Sequence, residues 1–99
     1  MVNLAFGKQT TQGLPGVIDL LFFGRLGDLA GEVDRSVSCI ESRATPLAIR
    51  EWLALHHQSL AKELCEPQVL VSVNKMIVKW DQPLFDGDEV AFLPPVTGG

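Results

Sequence analysis

Hydrophobic and polar residues alternate with a period of two after Gly16. Ile18, Leu20 and Phe22 fall on one face, and Asp19, Leu21 and Phe23 on the other. This predicts a strand over residues 17–25. Both of its faces are largely apolar at the phenylalanine end, so one belongs to a core and the other needs covering by something. Residues 27–31 break the pattern as a turn or short helical segment, and residues 37–42 resume it as a second strand, with Asp34-Arg35 forming the connection. The period then changes. Thr45-Pro46 opens a helix: threonine caps exposed N–H groups, and proline at the first helical position forfeits no hydrogen bond. Ile49, Trp52, Leu53 and His56 recur at helical spacing as one stripe, with Arg50 and Glu51 off it. Residues 57–64 read as a further short helix or turn. Residues 69–73 form a strand, Asn74-Lys75 a turn and residues 76–80 a return strand. Residues 83–88 form a loop that turns at Gly87, and Glu89–Leu93 is the last strand. Two strands, a crossover helix and three later strands describe an α+β roll.

Residues 1–16 have no sustained period and end in a Gly-Leu-Pro-Gly turn signal. They read as an extension outside the folded unit. The domain is then residues 17–93, and residues 94–99 form a tail.

The 99 residues hold one domain, 46% hydrophobic and 20% charged, too small to enclose a deep active site of its own. A carrier, binding or subunit role is favoured. The net charge of −4 and the lack of any Lys/Arg cluster argue against nucleic acid as a partner. Acidity is concentrated late: from Asp81 onward there are Asp86, Asp88 and Glu89 but no Lys or Arg, a bias suited to solubility and to attraction toward a basic partner surface. Cys39 and Cys65 stand alone, without metal-ligand spacing, which suits a reducing cytosol and packing roles. No signal-peptide pattern or membrane-span-length apolar run occurs, so a cytoplasmic protein is expected.

The chemistry is at the end of the chain. Pro94-Pro95-Val96-Thr97-Gly98-Gly99 follows the last strand directly. Leu93 and Pro94 both precede a proline and are pushed to extended conformations, so the two prolines form a stiff spacer. Fully extended, this tail reaches roughly 20 Å. Two terminal residues without side chains can enter a channel too narrow for any other residue. What they deliver is a free α-carboxylate. It is inert until activated, for example as an acyl-adenylate made with ATP. It can then accept sulfur and become a nucleophilic thiocarboxylate.

The stretch from Asp86 through Asp-Glu-Val-Ala-Phe-Leu-Pro-Pro-Val-Thr to Gly99 resembles the closing motif of the molybdopterin synthase small subunits. Leu21-Phe22-Phe23-Gly24-Arg25-Leu26, Val73-Asn74 and Pro83-Leu84 are similar to the same family, over about residues 17–99. The resemblance implies a β-grasp, ubiquitin-like mixed sheet packed on one main helix. It implies that Gly99 is adenylated by a ubiquitin-activating-type enzyme, with ATP used there and no cofactor or metal held by the carrier. Gly99 then carries sulfur as a thiocarboxylate for the dithiolene of molybdopterin, within a small dimer of heterodimers. The catalytic pocket would belong to the large subunit, which receives Pro94, Pro95, Val96, Thr97 and Gly98, so the carrier is not catalytic alone. Phe23, Ile77 and Leu93 match the family's apolar docking surface. The strand pattern agrees, since Leu21, Phe23, Ala91 and Leu93 face away from the core set and would form one exposed patch if the first and last strands are neighbours. The chain departs from the family at Leu93, where an aromatic is common, at Gly27, where a basic residue is frequent, and in residues 1–16, which have no counterpart.

The alternatives are a sulfur carrier for thiazole synthesis or tRNA thiolation, a modifier conjugated to target lysines, and a plain interaction domain. The Pro94-Pro95 spacer and Phe22-Phe23 fit the first of these less well. Elsewhere bland readings prevail. His56-His57 has no suitably spaced partner, Trp52 and Trp80 read as core or half-buried, Asp86 and Asp88 flank a turn, and Lys62 and Lys75 read as solvated.

Overall fold

A computed structural model describes residues 6–7, 16–39 and 44–95. The elements are β1 (Phe6–Gly7), β2 (Gly16–Phe22), α1 (Arg25–Ala30), β3 (Ser36–Cys39), α2 (Pro46–Leu53), α3 (Gln58–Leu64), β4 (Leu70–Val73), β5 (Met76–Val78) and β6 (Glu89–Leu93). Six strands make one sheet in the order β1-β3-β2-β6-β4-β5. Its two central strands, β2 and β6, run parallel, with Leu20 opposite Val90 and Phe22 opposite Phe92. The other pairings are antiparallel. Parallel first and last strands need a long crossover between them, and α2 with α3 lies on that connection. This is the β-grasp arrangement.

The period-two pattern of β2 becomes its burial pattern, with Ile18 and Leu20 buried and Val17, Asp19 and Leu21 exposed. The buried set meets Val90 and Phe92 of β6 and Val71 and Val73 of β4, and the helices close over it with Leu26, Ile49, Leu53, Leu60 and Leu64. Each such side chain contributes about 1.5–3 kcal/mol by leaving water, so this single cluster supplies most of the folding drive.

Thr45 caps α2 as expected: its hydroxyl accepts from Ala48 N at 3.0 Å, with Pro46 at the first position. The stripe is shorter than the spacing predicts. α2 ends at Leu53, so His56 falls beyond the helix and is exposed, while Trp52 is half-buried. Residues 57–64 do contain a helix, α3, with Leu60, Ala61 and Leu64 buried. The first strand is shorter than predicted, because Gly24 turns the chain into α1 two residues beyond the end of β2. The second begins at Ser36, and residues 40–43 of the predicted strand lie outside the described residues. β5 stops at Val78, before Trp80. Cys65 is exposed, contrary to a packing role; the side chain of Cys39 lies outside the described set. β1, which the sequence pattern does not reveal, pairs with β3. Among the described residues no helix is long and apolar enough to cross a membrane.

Candidate functional site: the tail root and the open sheet face

The helices cover one face of the sheet, and among the described residues the other stays open. On it, strand register aligns two rows. Leu21 lies opposite Ala91, Ala91 opposite Ser72, and Ser72 opposite Ile77. One step toward the C-terminal end of β6, Leu93 lies opposite Leu70, and Phe23 follows Leu21 by two residues on the same side. Phe23 is 46% exposed, Leu70 48% and Ile77 58%, Leu21 is exposed, and Leu93 is half-buried. Ala91, expected within an exposed patch, is buried, as is Ser72. Both are small and lie side by side between Leu21 and Ile77, so they form the floor of the patch. Five apolar side chains from four strands thus meet on one largely exposed surface, the usual signature of a protein-binding face. Leu70 and its place in this patch were not assigned from the sequence. The signal was available, because in β4 Leu70 and Ser72 alternate with Val71 and Val73.

The tail leaves from the edge of this patch. Phe23 N donates to Phe92 O at 3.1 Å, extending the parallel ladder to the last residue before Leu93. Phe92 is fully buried, its ring stacked on Phe22 at 5.2 Å and on Trp80 at 5.8 Å between centroids. The guanidinium of Arg35 caps the column over Phe22 and that of Arg50 over Trp80, at 5.1 and 4.6 Å. The strand end that launches the tail is therefore held by a five-membered stack.

Pro94 and Pro95 are half-buried. Pro94 rests on Gly24, where a Cβ would stand 3.0 Å from the proline Cγ. Gly24 also has φ +56°, which favours glycine. The stiff spacer thus starts seated on the β2–α1 turn. Val96, Thr97, Gly98 and Gly99 lie outside the described residues. Gly27 packs α1 against the end of β2: a Cβ there would come 2.9 Å from the Phe22 carbonyl oxygen, which gives a physical reason for glycine at a position where a basic residue was expected.

The start of β6 is fixed by Asn74. Its amide donates to Asp88 Oδ1 at 2.9 Å, and its side-chain oxygen accepts from Glu89 N at 3.0 Å. Asn74 and Lys75 both have positive φ, 51° and 73°, as the predicted two-residue turn requires. Asp86 accepts from Val17 N at 2.8 Å and Asp88 from Phe85 N at 2.9 Å, so this carboxylate pair serves the loop between β5 and β6 and ties it to the start of β2. Asp19 and Glu89 are cross-strand neighbours on the open face, just beyond the apolar rows.

The molybdopterin synthase sulfur carrier subunit of Escherichia coli K12 is 40% identical over 83 residues, covering 84% of this chain and 100% of that protein. The corresponding Haemophilus influenzae protein is 36% identical over the same shares. The Haloferax volcanii HVO 2177 protein superposes with a TM-score of 0.74 at 27% identity, covering 93% of this chain and 94% of that one. Residues 20–99, from the middle of β2 to the terminal glycine, match the ThiS family, and the chain belongs to that family.

Proposed function

We propose that this chain is the sulfur-carrying small subunit of a molybdopterin synthase. A ubiquitin-activating-type enzyme adenylates the Gly99 carboxylate with ATP, releasing pyrophosphate. A sulfur donor then displaces AMP, and the resulting thiocarboxylate supplies sulfur to the dithiolene of molybdopterin inside the large subunit. ATP belongs to the activating enzyme, and the carrier holds no cofactor. The observation that supports this reading is one juxtaposition. The open apolar face, with Phe23, Ile77 and Leu93 on it, adjoins the root of a chain end whose last two residues have no side chains.

In this reading the apolar face docks on the large subunit while Pro94, Pro95, Val96, Thr97 and Gly98 enter its pocket. Asp19 and Glu89 would face basic groups on the partner, speeding encounter. The assembly is a dimer of such heterodimers and works in the cytoplasm.

Co-expression with the activating enzyme followed by intact mass analysis tests the proposal. The expected result is a sulfur-for-oxygen mass shift confined to Gly99, lost when Gly99 is deleted, with the fold unchanged. Synthesis supported by the deleted protein would refute it. Stable complex formation with a thiazole- or tRNA-thiolating partner instead of the synthase large subunit would reassign the pathway. Adducts on target lysines that survive boiling and reductant would reassign it to protein conjugation.

A further inference from the structure

The two ends of the sheet are protected in different ways. β5 carries its own protection: it is three residues long, and the exposed Lys75 and Lys79 flank it. Short, lysine-flanked strands are poor templates for another strand. β3 is different. Its four residues, Ser36-Val37-Ser38-Cys39, contain no charge and no proline. An edge of that composition offers unpaired N–H and C=O groups to any extended chain.

β1 lies along half of that edge, with Phe6 opposite Cys39 and Gly7 opposite Ser38. The same two residues pair on their inner side with Gly16 and Val17 of β2. Ser38 and Cys39 are therefore paired on both sides. The family match begins at residue 20, so β1 is an addition upstream of it.

We infer that β1 is a guard strand: it occupies the Ser38-Cys39 part of the β3 edge and keeps two copies of this chain from pairing edge to edge. The excluded partner is a second copy because the edge is complementary to itself. An antiparallel β3–β3 pair closes about a two-fold axis and brings no like charges of the strand together. This role is separate from the tail and does not depend on which partner receives the sulfur.

Sedimentation velocity over a wide concentration range tests the inference on the intact chain and on variants of it. The intact chain stays monomeric. The chain lacking residues 1–15 dimerises about tenfold or more tightly than the intact chain. An intact chain carrying Phe6→Pro and Gly7→Pro, which removes the β1 donors without shortening the protein, behaves like the truncated one. Adding Ser36→Lys to the truncated chain returns it to monomer, because the charge lies on the β3 edge. Three results would overturn the inference: an intact chain that already dimerises, a truncated or proline-bearing chain that remains monomeric throughout, or a dimer abolished by Phe23→Asp but not by Ser36→Lys, which would place the contact on the open face.

Discussion

Phe22 and Phe23 are the same residue one position apart, yet they have opposite surroundings. Phe22 turns inward, stacks on Phe92 and lies under Arg35, whereas Phe23 stands on the open face, 46% exposed. Their intrinsic preferences are identical, so the difference comes only from strand alternation and from which face the helices cover. One ring contributes to folding, and the other is a large apolar side chain kept in water. An exposed phenylalanine contributes little to the fold, and under the proposed function its place beside Leu21, Leu70, Ile77 and Leu93 belongs to a docking face.

Substitutions on the two faces should therefore separate cleanly. Phe92→Ala removes the centre of the stacked column and should cost about 3–5 kcal/mol, read by chemical denaturation. Phe23→Asp should leave stability within about 0.5 kcal/mol. It should nonetheless weaken binding to the synthase large subunit by about 2 kcal/mol or more, measured by calorimetry. Equal loss of stability at both positions would remove the distinction between the faces. Asn74→Ala tests what holds both faces in register: it removes two side-chain hydrogen bonds and leaves alanine at φ 51°, for a loss of about 1–2 kcal/mol. Thr45→Ala removes the α2 cap on the covered side and should cost about 1 kcal/mol without changing partner affinity. Smallest of all, Glu63→Gln breaks the partly exposed pair with Arg25 at 3.2 Å and should shift stability by about 0.5 kcal/mol or less, shrinking at high salt.

Much of this contrast is legible in the chain. The alternation from Ile18 to Phe23 identifies two faces, Thr45-Pro46 marks the start of α2, and Asn74-Lys75 marks the hairpin; each depends on neighbours within a few residues. Misreadings arise where distant packing intervenes. His56 continues the helical spacing of Ile49 and Leu53, but α2 ends at Leu53 and α3 then packs beside it, leaving His56 in solvent. Cys65 sits just after α3 and is exposed, which composition does not disclose. The seat of Pro94 on Gly24 joins residues 70 positions apart and has no local signature.

The sequence by itself determines the strands after residue 16, the capped helix, the turns and a chain end of two glycines behind two prolines. These follow from backbone sterics and side-chain periodicity, which act over a few residues. Tertiary structure alone decides which face the helices cover, that β2 and β6 run side by side, and that β1 pairs along the β3 edge. Those outcomes depend on burying the whole apolar set at once and on pairing strand edges far apart in the chain, and no local pattern encodes either.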